Sequence, residues 1–256
     1  MRLALSYFYY RLNAKNLHGV HSPFFYALNK DVLRKKSFPL AGEIENLRSE
    51  LKKDHQKLDL LDLGAGSRIN KSNSRSISEI ARVSSGSQKD LALLHNLTEW
   101  MKAENIIELG TNLGLGTIAL STALSAKNIV SIEGDPKLAE LAVKNLEKFD
   151  SNAEVVCGSF EDKLDLVLKK LKTVDLAYLD GNHKKKPTLN YFDRIKEYSH
   201  NDTVIVIGDI HWSEEMEDAW EEIKLDRDVV ASADVFSMGL VFFKKELSKE
   251  HFKLHG

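Results

Sequence analysis

From Gln88 onward, apolar and polar positions alternate between two periods. Leu91, Leu93, Leu94, Leu97, Trp100 and Met101 recur at helical spacing and form one apolar face. The short apolar run Asn105-Ile-Ile-Glu-Leu follows, and a helical pattern restarts at Thr117-Ile-Ala-Leu. The same alternation then repeats. Asn128-Ile-Val-Ser-Ile-Glu reads as a second strand, with Pro136 placed to open the next helix. Ala153-Glu-Val-Val-Cys is a third strand before a helix from Phe160 to Leu171. Val174-Asp-Leu-Ala-Tyr-Leu-Asp is a fourth, before a helix from Thr188 to Tyr198. Thr203-Val-Ile-Val-Ile-Gly-Asp is a fifth, before a helix from Glu214 to Ile223. Near-continuous apolar strands separated by helices predict an α/β protein with a parallel sheet buried on both faces. Val229 to Val235 and Leu240 to Phe243 are joined only by Phe236-Ser-Met-Gly, too short for a crossover helix, so this last pair must be antiparallel. No internal repeat is evident.

The front of the chain is less regular. Residues 1 to about 57 read as mainly helical, with Ser22 as N-cap, Pro23 at the first helical position and Phe24, Phe25 and Tyr26 as a face packing on the main domain. A serine-rich stretch, 62 to 87, reads as a mobile loop placed to close over a ligand, or as a plain connector. The chain therefore divides into an N-terminal helical extension with its loop, residues 1–87, and a nucleotide-binding domain, residues 88–256.

Composition narrows the function classes. The chain has 256 residues, 43% hydrophobic and 29% charged, as expected of a globular protein. A net charge of −2 gives no global argument for nucleic acid, and the runs Arg34-Lys-Lys and Lys184-Lys-Lys are short enough to be solvated surface. No apolar run reaches membrane-span length. The N-terminus is too aromatic for a signal peptide, and the single cysteine, Cys157, excludes an intramolecular disulfide framework, which makes cytoplasm the expected compartment.

The chemistry centres on Glu108-Leu-Gly-Thr-Asn-Leu-Gly-Leu-Gly. Gly110, Gly114 and Gly116 turn the chain from strand into helix, where a ligand can lie against the main chain and face free helix amides. Glu133 ends the second strand, and a carboxylate there suits a ribose diol. An adenosine-type ligand follows. The glycine spacing also fits the NAD(P) turn of short-chain dehydrogenases, but their Tyr-x-x-x-Lys pair must lie downstream. Here Tyr26 and Lys30 lie upstream.

Glu108-Leu-Gly-Thr-Asn-Leu-Gly, with the acid ending the second strand, resembles the class I S-adenosylmethionine-dependent methyltransferases, in particular the catechol and caffeoyl-CoA O-methyltransferase branch. The resemblance implies a Rossmann-like seven-stranded sheet of order 3-2-1-4-5-7-6 with the last strand antiparallel. It implies cofactor contacts at Glu108, Gly110, Gly114, Glu133, Gly158, Ser159 and Asp180. It also implies a metal-binding aspartate after the fourth strand and a lysine base three residues on. This chain has Asp180 in the first position and His183 in the second. Histidine titrates near neutrality and can take a proton from a hydroxyl. Where the branch has an Asp-Asn metal pair, this chain has Asp209-Ile210 followed by His211. Asp180 and Asp209 alone are a thin oxygen shell for Mg²⁺. His211 as third ligand would favour Mn²⁺ or Zn²⁺. A metal-bound and a metal-free site both fit these residues, and Asp209 is also a candidate helix cap.

Asp62-Leu-Gly-Ala-Gly resembles the glycine motif too, but no apolar helix or acid-ended strand follows it, so it is not expected to bind cofactor. The implied reaction is methyl transfer to a small-molecule hydroxyl. The alternatives are a tRNA-modifying enzyme, for which the basic clusters leave room, and a cofactor-binding protein without turnover. A homodimer is compatible with any of these.

Overall fold

The computed structural model describes residues 2–16, 19–61, 74–83 and 86–255. The extension contributes α1 (Arg2–Asn13), α2 (Pro23–Leu28) running into a π-turn (Asn29–Leu33), α3 (Ala41–Leu51), the short strands β1 (Lys57–Asp59) and β2 (Ser74–Ser76), and α4 (Ile77–Val83). After α5 (Gln88–Met101), strand and helix alternate. They are β3 (Asn105–Leu109), α6 (Leu115–Ser121), β4 (Asn128–Glu133), α7 (Pro136–Glu147), β5 (Glu154–Cys157), α8 (Phe160–Leu171), β6 (Val174–Leu179), α9 (Lys185–Lys196), β7 (Ser199–Gly208) and α10 (Glu214–Leu225). The chain closes with β8 (Ala231–Asp234), β9 (Met238–Phe242) and β10 (Glu250–Lys253).

The main sheet has 8 strands in the order β10-β8-β9-β7-β6-β3-β4-β5. β9 runs antiparallel to both β7 and β8, and every other neighbouring pair is parallel. The expected seven-strand order is present from β5 across to β8. The eighth strand, β10, is a correction to that expectation. Its segment is polar except for Phe252 and, just beyond it, Leu254, which alternate inward and are buried, while His251 points out. A strand with so few apolar positions is easily passed over, yet two inward side chains suffice on an edge. Past β10 the backbone of Lys15 takes over, pairing with Leu254, so the beginning of the chain covers the sheet edge.

The stretch 62–87, read above as loop, also needs correction. Ser74–Ser76 pairs with Lys57–Asp59, and Ile77–Val83 is helical, with Ile77, Ile80 and Ala81 buried. Those three apolar positions are spaced for one helix face, a pattern masked by the surrounding serines. The glycines of Asp62-Leu-Gly-Ala-Gly lie outside the described residues.

The extension is part of the core. Phe25 is 1% exposed and packs its ring 4.5 Å from that of Phe252 and 5.7 Å from that of Phe242. Leu28, Val32 and Leu33 join the same cluster, together with Leu93, Leu94 and Leu97 of α5. Phe24 is partly buried against this cluster, whereas Tyr26 faces outward. Ser22 occupies the N-cap position of α2, with no side-chain cap bond. The opposite face of the sheet is covered by α8, α9 and α10 through Tyr191, Phe192 and Trp220. Among the described residues, no helix is long and apolar enough to cross a membrane.

Because Phe25 ties α2 to β9 and to the edge strand β10, Phe25→Ala should cost about 3–5 kcal/mol of stability. Urea unfolding measures it. A loss below about 1 kcal/mol would mean the extension is only loosely applied to the sheet.

Candidate active site at the carboxyl edge of the sheet

β3 and β6 are neighbours whose following chains part in opposite directions, which opens a cleft above their carboxyl ends. The two ends approach closely. The Asp180 N–H donates to the Leu109 carbonyl at 2.9 Å, and the Gly110 N–H donates to that of Ile132 at 3.0 Å. Gly110 has φ +103°, and a Cβ placed there would lie 2.5 Å from the Asp180 carbonyl oxygen. Only glycine fits. Gly114, in the left-handed region, is the N-cap of α6.

Beneath this turn, Glu108 is 1% exposed. One of its oxygens accepts hydrogen bonds from Thr117 of α6 and, at 2.6 Å, from Ser131 of β4. Burial pushes its carboxyl up to about 8, against those two hydrogen bonds, and the charges of Asp180 and Glu133 add to the rise. Glu108 thus braces strand, helix and neighbouring strand at the floor of the cleft. Asp90, Asn112, Leu113 and Tyr178 line the same cleft.

Glu133, at the tip of β4, accepts the Asn112 N–H at 2.7 Å on one oxygen and the Asp135 N–H at 3.0 Å on the other. Its position is therefore locked by backbone, with lone pairs to spare on both oxygens. Burial raises its pKa, opposed by these backbone bonds. Asp135 caps α7 and accepts the Leu61 N–H at 2.6 Å, which ties the end of the β1 hairpin strand to the same corner. On the next strand, Gly158 donates its N–H to the Glu133 carbonyl at 2.8 Å. Ser159 caps α8: its hydroxyl accepts the Asp162 N–H at 3.2 Å and donates to the Asp162 carboxylate at 2.7 Å.

On the other side of Gly110, one donor atom each from Asp180, His183 and Asp209 lies within 4.8 Å of the other two. His183 Nε2 stands 3.7 Å from Asp209 Oδ2. The loop carrying His183 is held from behind. Asn182, at φ +53°, donates through its side chain to the Tyr191 hydroxyl at 3.2 Å, which donates to Glu161 at 2.5 Å. Asp209 also has positive φ, 54°, and its N–H donates to the Ser237 carbonyl at 2.8 Å. Desolvation in the cleft pushes the Asp209 carboxyl up to about 6; His183 opposes this, and Asp180 and Asp90 reinforce it. Burial raises the pKa of the Tyr178 phenol well above its usual value, and the neighbouring Asp180 adds to the rise.

Ile210 is fully buried in the core and offers no ligand. His211 does not join the cluster, which corrects its expected availability as a metal ligand. Its two ring nitrogens sit 3.1 Å from Glu217 and 3.0 Å from Asp234, and its ring stacks on Phe236. Although burial opposes it, those two carboxylates raise its pKa, and it bridges them as a structural residue. Asn112 carried a legible signal, since asparagine tolerates the left-handed conformation it adopts at φ +50°. Tyr178 and Asp90 carried none, for one is an interior strand position and the other reads as an ordinary helix-capping acid.

Residues 107–210 match a family model described as a methyltransferase domain. The matched segment runs from within β3 through β7 and contains Glu108, Gly110, Glu133 and the Asp180–His183–Asp209 cluster. A catechol O-methyltransferase of Niastella koreensis is 31% identical over 121 residues, 46% of this chain and 54% of the relative. The chain thus spans about half the length of that curated relative. Among solved structures, the O-methyltransferase from Bacillus cereus in complex with SAH superposes with TM-score 0.56 at 19% identity, over 84% of this chain and 99% of that one. The O-methyltransferase TomG from Streptomyces achromogenes, in complex with SAM, gives 0.53 at 20% identity, over 61% of this chain and 80% of that one. The fold is shared with both of these solved structures.

Gly110→Ala should destabilise the domain by about 2–4 kcal/mol, from left-handed backbone strain together with the clash on Asp180. Chemical denaturation reads the loss. A variant as stable as the parent would show that the β3 and β6 ends can separate freely.

Proposed function

We propose that the protein is an S-adenosylmethionine-dependent methyltransferase acting on a hydroxyl of a small molecule, in the cytoplasm. The observation that carries this reading is a juxtaposition: a backbone-locked carboxylate, Glu133, on one side of the Gly110 turn, and the Asp180–His183–Asp209 cluster on the other. The first is a ribose site. The second is a proton-handling site. The names of the similar proteins, all O-methyltransferases, support the same activity.

When bound, S-adenosylmethionine supplies an activated methyl group on a sulfonium. The residues of the chain then have separate tasks. Glu133 takes the ribose hydroxyls on its free lone pairs, and Gly158 with Ser159 walls the adenine side, Ser159 chiefly by fixing the start of α8. Glu108, Gly110, Gly114 and Asp180 shape the cleft for the methionine end, where carboxylates suit a cationic ligand. His183 accepts the proton of the acceptor hydroxyl, and Asp209 orients the ring and stabilises its charged form.

The compact donor set favours a second arrangement of the same site. Two carboxylates and an imidazole can hold a divalent cation, with Mn²⁺ suited to the mixed oxygen and nitrogen ligands better than Mg²⁺. Such an ion would polarise the acceptor oxygen.

Glu133→Ala should weaken S-adenosylmethionine binding roughly tenfold to a hundredfold, the scale of lost hydrogen bonds to a charged group. Calorimetry on the folded variant decides it, and unchanged affinity, or a preference for NAD in the parent, would sink the cofactor assignment.

Catechol, the acceptor named for the curated relative, is the first to assay. With it, His183→Ala should keep cofactor affinity and lose roughly a hundredfold in rate, with partial recovery at high pH where the acceptor ionises unaided. Chelator treatment separates the two arrangements. Loss of turnover restored by Mn²⁺ supports the ion, whereas indifference to chelator leaves His183 as the base; a variant at the parent rate would rule His183 out.

A further inference from the structure

Outside the cleft, Arg11, Asn16, Arg34, Lys36 and His255 line a cavity of about 600 Å³. They come from three parts of the chain: the end of α1, the segment after the π-turn, and the residues following β10. Arg34 and Lys36 belong to a basic run that, on sequence alone, reads as solvated surface. They are exposed, as that reading expects, yet the fold gathers them with Arg11 and His255 around one opening. The protein has 36 Lys and Arg against 38 Asp and Glu, so a convergence of cations is not a consequence of its composition. Arg2, Arg48 and Arg194 are each paired with a carboxylate. Among the described residues, none lies within ion-pair distance of Arg11, Arg34 or Lys36.

The frame around these cations is fixed. Lys15 donates its N–H to the Lys253 carbonyl at 2.7 Å, and His255 donates its N–H to that of Lys15 at 3.1 Å. The Tyr10 hydroxyl donates to the Leu254 carbonyl. Asn29, fully buried in the π-turn, donates to the His255 carbonyl at 2.8 Å, while its own side-chain oxygen has no partner. π-turns recur at functional sites. Like charges held together by a rigid frame, with no counter-charge among the described residues, form a preorganised anion site.

We propose that this cavity binds a small phosphate-bearing molecule, a mono- or diphosphate ester, apart from the methyl-transfer cleft. Two guanidinium forks, an ammonium and an imidazole match the several oxygens and double charge of a phosphate, where a carboxylate would use only one fork. The site is concave and sits on a protein of net negative charge, which disfavours a long polyanion such as RNA. β10 and β8 are parallel, so His255 lies at the same edge of the sheet as Asp234 and Asp209. The lateral offset from β7 is three strand spacings, on the order of 14 Å. The cavity and the cleft can therefore be filled together.

Pyrophosphate titrated into the full chain by calorimetry tests the site without cofactor, so its outcome is independent of the methyltransferase reading. One saturable site is expected, weakened roughly tenfold or more in the double variant Arg34→Ala, Lys36→Ala, with S-adenosylmethionine binding unchanged. Arg11→Gln alone should weaken it too, which covers the case of a double variant that does not fold. ADP and ribose 5-phosphate, compared under the same conditions, distinguish a diphosphate from a monophosphate ligand. Sulfate matching pyrophosphate in affinity, no saturable binding, variants binding like the parent, or a short RNA binding more tightly than any of these would each overturn the proposal.

Discussion

The contact on which the rest of the site depends is the meeting of the β3 and β6 ends, where the Asp180 N–H reaches the Leu109 carbonyl and leaves no room for a side chain on Gly110. Because the chain runs away from this point in opposite directions, the two halves of the cleft are fixed relative to each other by main chain. Glu133 is one strand away on one side, on β4. Asp209 is one strand away on the other, after β7. Each carboxylate thereby inherits its position from sheet register, and a shift of either strand by one residue would turn its side chain to the opposite face.

That arrangement concentrates negative charge. Asp180 and Glu133 add to the rise at Glu108, and Asp180 and Asp90 add to the rise at Asp209. Carboxylates gathered in one cleft favour a cationic occupant: a sulfonium, an ion, or both. Backbone strain gathers at the same edge. Asn112, Asn182, Asp209 and Phe236, four of the eight non-glycine residues with positive φ among the described residues, all flank it. Such conformations persist where the surroundings over-determine them, as they do here through Glu133, Tyr191 and Ser237.

How much of this was legible depended on whether a residue's role is local. Period and strand-end chemistry in 105–210 pointed to the glycine turn, Glu133, Asp180 and Asp209, because each sits at the end of an apolar run, whereas His183 was singled out only through the resemblance to a known family. β10 was not legible, since an edge strand needs only Phe252 and Leu254 turned inward. α4 was hidden by serines around three well-spaced apolar positions. His211 was read by its neighbour in sequence, Asp209, whereas its partners, Glu217 and Asp234, lie on α10 and β8. Long-range pairing of that kind leaves no periodic trace.

The same limit hides the basic cavity. Arg11, Arg34 and His255 become neighbours only because β10 extends the sheet and Lys15 zips onto its far side. α1 crosses from that cavity to the cleft side: Tyr7 and Tyr10 pack on Phe236, and Arg2 and Ser6 reach Glu217, the carboxylate that also holds His211. The beginning of the chain is thus bound to both ends of one sheet edge, positive at one and negative at the other. Phe236 itself lies two residues from β9 and directly beside the loop that anchors Asp209 through Ser237, so α1 packs between the basic opening, through Arg11, and the acidic cleft, through packed aromatic side chains and one shared carboxylate.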